Sequence, residues 1–303
     1  MATAITYDHF GGPEVLTISD VEPPEPSAGQ VRVEVRAAGV NLVDAKLRRG
    51  DLAHVFTPRF PVIPGIEISG VVTATGESTR GVTLGDEVFG VADTGGYALY
   101  ALATHVQRKP ESVSWTLAAA LPIVGEAAFR TLGHLGLRAG ERLLIQGAAG
   151  SVGAIATQLA VDLGATVIGV AAPADLQAVR ERGALAVAYG DGLVERVRAL
   201  CPEGVDAVLD TSGAGVLPES IELVGGPNRV ITIADESASS HGVRFTGPDP
   251  TDRDRTALAK LANLVATRRL QLPIWRTYAL TDAVQAHRDL DAHRNHGKIV
   301  LLP

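Results

Sequence analysis

The run Gly-Ala-Ala-Gly-Ser-Val-Gly at 147–153 has the residue types and spacing to hold a diphosphate. It follows the apolar residues Leu143, Leu144 and Ile145, which read as a strand, and it opens a helical stretch over 151–163. In that setting each glycine has a physical task. Gly147 allows the tight turn from strand to helix, Gly150 lets backbone approach a pyrophosphate, and Gly153 lets the helix pack close to its sheet. Ala148, Ser151 and Val152 complete the loop, and the unpaired amides of the helix start face two negative phosphates. The spacing is G-x-x-G-x-x-G rather than G-x-G-x-x-G, and a turn chosen only for packing is the competing reading. In such a unit the adenosine ribose is held where the second strand ends, here at Ala171 and Ala172. The sequence A-A-P-A-D-L at 171–176 puts no carboxylate at the strand end for a ribose 2′-hydroxyl, and no Lys or Arg for a 2′-phosphate. Asp175 reads better as a helix-start residue. This segment leaves the choice between NAD and NADP open.

A diphosphate loop of this kind needs a parallel sheet behind it, and the flanking sequence supplies one. Strand-like runs at 143–146, 166–171, 205–210 and 229–233 alternate with helical runs at 151–163, 175–183 and 215–224, the pattern of βαβ units. Residues 117–136 are apolar at helical spacing. The first 110 residues differ. Val31, Val33 and Val35 alternate with Arg32, Glu34 and Arg36, and further short strands read at 69–76, 86–91 and 97–107 between Gly- and Pro-rich turns. That texture predicts an irregular β-barrel or sandwich. Helices read at 254–268 and 281–291, with Thr281-Asp282 as a start signal, and 298–302 closes as a strand. The expected division is a β-rich domain from 1–121 and 271–303 enclosing a dinucleotide-binding domain at 122–270.

Composition narrows the partners. A chain of 303 residues with 46 % apolar and 20 % charged residues suits two packed domains, and a net charge of −7 without a basic block argues against nucleic acid or anionic lipid. The single cysteine, Cys201, makes neither an internal disulfide nor a Cys-rich zinc site, and reads as a small apolar packing residue in a reducing compartment. No apolar run reaches the roughly 18 residues of a membrane span, and no signal peptide reads at the start, so the expected location is the cytoplasm. His293 and His296 read as surface or capping residues.

Several blocks together resemble the quinone oxidoreductase, zeta-crystallin-like branch of the medium-chain dehydrogenase/reductase superfamily. They are F-G-G-P-E-V-L at 10–16, A-A-G-V-N-L-V-D-A-K-L-R-R-G at 37–50, F-P-V-I-P-G-I-E-I-S-G-V-V at 60–72, G-D-E-V-F-G at 85–90, G-G-Y-A at 95–98 and A-A-A-L-P at 118–122. The glycine loop, V-D-A-V-L-D-T-S-G at 205–213 and G-K-I-V-L at 297–301 complete the set. The resemblance implies an α/β protein: a GroES-like β-rich catalytic domain plus a Rossmann-type doubly wound parallel sheet. It implies NADP(H) as cofactor, a small-molecule substrate and a homodimer, for which Val243-Arg244-Phe245 is a candidate edge. It extends the cofactor set to Gly125, Ala127, Ser212, Ile233 and Lys298, with Ala127 standing where relatives often carry a threonine.

In zinc-dependent relatives Asn41 would be the first metal ligand, and Ile66, before Glu67, a ligand histidine. No metal is therefore expected. Without a Lewis acid, conjugated acceptors are favoured, such as a quinone, an enone or an alkenal, because hydride addition spreads charge toward an oxygen that hydrogen bonds can stabilise. The catalytic candidates are Asn41, Asp44, Lys46 and His54. Asn41 reads either as a donor to the substrate oxygen or as a loop brace. Asp44 and Lys46 read as active-site neighbours or as a solvated ion pair. His54 reads as a proton donor or as a surface histidine, since relatives carry a tyrosine absent from 51–59. Tyr97 and Tyr100 line the site or pack on strands. An enoyl-thioester reductase and a non-catalytic dinucleotide-binding protein are the competing functions.

Overall fold

The computed structural model describes residues 1–247, 253–254, 256–294 and 296–303. The chain divides into two compact units. The first comprises Met1–Ile123, Leu258–Arg268 and Leu272–Pro303, and the second Val124–Ala257 with Arg269–Gln271.

The first unit begins with the antiparallel pair β1 (Ala2–Thr6) and β2 (Thr17–Val21). Then come β3 (Val31–Val40), helix α1 (Leu42–Arg49), β4 (Glu67–Thr75), β5 (Glu87–Val91), β6 (Tyr100–Ala103), β7 (His105–Arg108) and the short α2 (Trp115–Ala119). The alternation in β3 behaves as its sequence requires: Val31, Val33 and Val35 are buried while Arg36 faces solvent. β3 is ten residues long and serves several neighbours. It pairs with β4 along nearly its whole length, with β6 through Val31–Glu34 and with the last strand of the chain through Ala38–Val40.

The second unit opens with α3 (Pro122–Leu135) and β8 (Arg142–Gln146), followed by α4 (Ser151–Leu163), β9 (Thr166–Ala171), α5 (Leu176–Glu181), β10 (Leu185–Ala188) and α6 (Leu193–Leu200). It continues through β11 (Ala207–Asp210), α7 (Leu217–Val224), β12 (Val230–Thr232) and β13 (Arg244–Phe245). All five pairings in this sheet are parallel, in the order β10-β9-β8-β11-β12-β13. Counting from β8, that is the 3-2-1-4-5-6 order of a dinucleotide-binding Rossmann sheet. The strands are short apolar runs, with Leu143, Leu144, Ile145, Val208 and Leu209 fully buried, as a sheet covered on both faces demands.

The chain ends with α8 (Ala257–Ala266), β14 (Ile274–Ala279), α9 (Ala283–Asp291) and β15 (Lys298–Leu302). β15 joins β3 antiparallel and β14 parallel, completing the seven-stranded sheet of the first unit. Two of the expected elements are divided. The strand at 97–107 separates into β6 and β7, and the helical run at 117–136 separates into α2 and α3, where Pro122 starts a new helix.

Candidate functional site

Asn41 follows β3 directly and stands at the N-cap of α1. Because β4 and β15 both run antiparallel to β3, the end of β3 lies beside the first residues of those strands, Glu67 and Lys298. The three side chains meet there, at 6 %, 0 % and 2 % exposure. Asn41 Nδ2 donates to Glu67 Oε1 at 2.9 Å, and Lys298 Nζ donates to Asn41 Oδ1 at 2.6 Å. Lys298 also forms an ion pair with Glu67 Oε1. Glu67 Oε2 accepts the Ile123 backbone N–H at 2.8 Å. A buried carboxylate and a buried ammonium are thus paired and hydrogen-bonded, the condition under which such charges persist out of water. Gly39 makes the room: a Cβ there would stand 2.1 Å from Glu67 Oε1.

A second buried chain starts on the other side of Asn41. The Asp44 carboxylate, 1 % exposed, accepts the Asn41 backbone N–H at 2.8 Å. Tyr97 Oη donates to the same Asp44 oxygen at 3.5 Å and lies 3.2 Å from His287 Nε2. His287 Nδ1 is 2.7 Å from Arg48 Nη1. A guanidinium only donates, so Nδ1 accepts and the ring proton sits on Nε2, directed at Tyr97. Arg48 Nη2 closes the chain on Asp291 Oδ2 at 2.6 Å. Burial raises the Asp44 carboxyl to about 7, with the Asn41 N–H opposing and Glu67 adding to the rise. Burial, reinforced by Arg48, lowers His287 to about 3 and keeps it neutral. Asp44 Oδ1 has no hydrogen-bond partner among the described residues.

The remaining catalytic candidates fall elsewhere. Lys46 is half-buried and makes no bond to Asp44, so the solvated Asp44–Lys46 pair gives way to the buried chain. His54 lies exposed on the turn after α1 and is not part of either cluster. Tyr97 is a network member, whereas Tyr100 packs under the Arg32 guanidinium on its strand. Arg48, His287 and Glu67 are the functional-looking side chains absent from the candidate set. Arg48 and His287 lie 239 positions apart, and their sequence neighbourhoods are ordinary helical ones.

In the second unit, parallel pairing carries the cofactor candidates to one edge of the sheet. Gln146 lies beside Val170 and Asp210, and Asp210 beside Thr232. The residues that follow, Gly147, Ala171, Ser212 and Ile233, therefore share the carboxyl edge, where ligands of such sheets bind. Gly147 takes φ 77°. Gly150 caps α4 without any side-chain bond, which leaves the first amides of the helix, at Ser151, Val152 and Gly153, without intrahelical partners. A Cβ at Gly153 would lie 2.3 Å from the Gly147 carbonyl, but at Gly150 the nearest atom is 3.3 Å away. The loop is therefore tightest at Gly153 and less crowded at Gly150. Ala148 is buried and donates its N–H to Val170. Asp210 binds the Ser212 N–H and hydroxyl and the Thr232 hydroxyl, fixing the ends of β11 and β12. Ala172 precedes a 3-10 turn ending at Asp175, which stands at the start of α5 but makes no side-chain cap. Gly125 and Ala127 lie in the first half of α3. Lys298 lies in the first unit, where its ammonium is bound to Asn41 and Glu67.

Cys201 is buried, donates its thiol to the Gly204 carbonyl, and has its pKa raised by burial, as a packing residue does. Among the described residues no group of three or more His, Cys, Asp or Glu is arranged to hold a metal, and no helix is long and apolar enough to cross a membrane.

Comparison with known proteins places these units in a lineage. Residues 27–113 match the alcohol dehydrogenase GroES-like domain, and 182–301 match the family described as zinc-binding dehydrogenase. The quinone oxidoreductase of Sus scrofa is 31 % identical, over 100 % of this chain and 98 % of its own length. The chain belongs to the quinone oxidoreductase family of the medium-chain dehydrogenases/reductases. A mycobacterial member of known structure, solved in complex with NADPH, superposes with a TM-score of 0.85 at 27 % identity, over the whole of both chains. The spectinabilin polyketide synthase system protein NorB of Streptomyces orinoci is 38 % identical over 90 % of this chain, which corresponds to 13 % of NorB. Within this family, the first unit is the GroES-like domain and the second the Rossmann domain.

Proposed function

We propose that the chain is a metal-independent reductase that uses NADP(H) to deliver hydride to a quinone or to the activated carbon–carbon double bond of an enone or alkenal. The observation that carries this reading is the Asn41–Glu67–Lys298 cluster. Of the two positions where zinc-dependent relatives would carry ligands, Ile66 offers no donor atom, and Asn41 is already bonded to a carboxylate and an ammonium, Glu67 and Lys298. That donor set does not fit a zinc ion, which needs several deprotonated N, S or O ligands converging on it. It fits an oxyanion instead, because a hydrogen-bond donor rather than a cation then faces the developing charge.

The dinucleotide loop suits its ligand. Ser151, Val152 and Gly153 present helix-start amides to a pyrophosphate, and Gly150 puts no side chain in its way. When bound, the nicotinamide supplies the hydride. The residues of this chain do the rest. As hydride reaches the β-carbon of an enone, negative charge collects on the carbonyl oxygen, and Asn41 Nδ2 offers it a hydrogen bond. Gly125, Ala127, Ala171, Ala172, Ser212 and Ile233 complete the cofactor site in this reading. The NADPH complex of the mycobacterial relative supports NADP(H).

The likeness to part of a polyketide synthase protein favours a second reading, an enoyl-thioester reductase. Both reduce a conjugated double bond and differ in what carries the substrate. Steady-state kcat/KM over quinones, enones and enoyl thioesters, with NADPH and with NADH, separates them. A preference for enoyl thioesters over both other classes would displace the first reading, and no turnover with any would leave a dinucleotide-binding protein.

A further inference from the structure

We propose that Lys298 is a positioning residue, which fixes and polarises the Asn41 carboxamide so that its remaining Nδ2–H is directed at the substrate oxygen. This rests on the reading of Asn41 as the donor. A carboxamide has two orientations related by a half-turn, and they exchange donor for acceptor. Here one face of the choice is closed. Asn41 Oδ1 accepts from the Lys298 ammonium at 2.6 Å, and Nδ2 donates to the Glu67 carboxylate at 2.9 Å. The turned amide would oppose NH2 to an ammonium and a carbonyl oxygen to a carboxylate, two donors and two acceptors in contact inside a buried site. The observed orientation is therefore the bonded one. Among the described residues Glu67 takes one of the two Nδ2 hydrogens, so the other stays available.

Lys298 also acts on the electrons of the amide. A cation on Oδ1 draws charge toward oxygen and makes the N–H groups stronger donors, an effect enlarged where water is excluded. Glu67 counters the charge, and its second oxygen is anchored by the Ile123 N–H, so the ammonium keeps its place. The Asn41 backbone is held separately by Asp44. Side chain and main chain are thus gripped from opposite sides, which is the preorganisation that makes one donor count in a transition state.

The test uses the purified protein with NADPH and an enone. The variants are Asn41→Ala, Lys298→Met, Glu67→Gln with Lys298→Met, and Asn41→Ala with Lys298→Met. The Glu67→Gln/Lys298→Met protein removes both charges while leaving an acceptor for Nδ2, so the test survives if Lys298→Met alone does not fold. Loss of the ammonium is expected to lower kcat roughly ten- to a hundredfold, with NADPH affinity within about twofold of the parent. In the Asn41→Ala background the same loss should cost less than about threefold, because both changes remove one interaction. Full kcat after loss of Lys298, beside a large deficit in Asn41→Ala, would overturn the positioning role and leave the donor reading intact. Weakened NADPH binding with unchanged kcat would return the ammonium to the dinucleotide, and fully additive losses would make it act apart from Asn41. Unaltered turnover in Asn41→Ala would instead remove the donor reading itself.

Discussion

At the residue scale the notable chemistry is two buried titratable groups displaced in opposite senses on one hydrogen-bonded chain. Asp44 sits at about 7 against an ordinary 3.8, so between about pH 4 and 7 the folded protein binds more protons there than the unfolded chain. Its contribution to stability therefore falls as pH rises through that window. His287 sits at about 3 against 6.5, so between about pH 3 and 6.5 the folded protein binds fewer, and its contribution rises with pH. The two slopes oppose each other, each at most about 1.4 kcal/mol per pH unit. Asp44→Asn keeps an acceptor for the Asn41 N–H and removes only the falling slope. Urea unfolding at about pH 4.5 and 7.5 should find the variant gaining on the parent at the higher pH. An identical difference at both values would mean that Asp44 does not titrate in that window.

At the element scale two glycines mark where backbone closeness is required, and they separate folding from binding. Gly153→Ala drives a methyl against the Gly147 carbonyl, so it should destabilise the second unit by about 1–3 kcal/mol, read by thermal melting. A Cβ at Gly150 meets only the Gly147 carbonyl, at 3.3 Å, a contact relieved by a shift of a few tenths of an ångström, so Gly150→Asp should fold yet lose dinucleotide binding by calorimetry through its carboxylate. Folded Gly150→Asp with parental affinity would remove the phosphate-loop assignment. The same elements explain what the sequence could and could not reveal. α4 and β9 have the bounds that periodicity and punctuation predict, because apolar residues face inward and glycines end the runs. Helix α1 is not legible that way. Its buried residues are Asp44, Ala45 and Arg48, while Leu42 is 54 % exposed, so its pattern is inverted by the polar network it serves. Asn41 was legible only as a choice between donor and brace. The partners that brace its side chain, Glu67 and Lys298, lie 231 positions apart and are brought together by strand pairing.

At the scale of the whole molecule, β13 forms one edge of the Rossmann sheet, pairs only with β12 among the described strands, and leaves Phe245 46 % exposed. An open edge of this kind invites a second copy. Light scattering is expected to give the mass of two chains, and Phe245→Asp to shift it toward one. A parent protein that is monomeric at working concentration would refute the edge assignment. Turnover is expected to survive dialysis against a strong chelator, since the Asn41 cluster offers no zinc site. Loss of activity restored by stoichiometric zinc would count against the proposed mechanism.

The strand that closes the first sheet has a consequence for biosynthesis. β15 follows the entire second unit in the chain, yet it covers one side of β3 and carries Lys298. On the ribosome, the β-rich unit therefore waits with one side of Ala38–Val40 unpaired while the Rossmann unit emerges and is free to fold first. The unit that starts first finishes last, and the waiting edge is a place for chaperones or for misassembly to act. A chain released before Lys298 would lack the closing strand and the ammonium bound to Asn41 in one stroke.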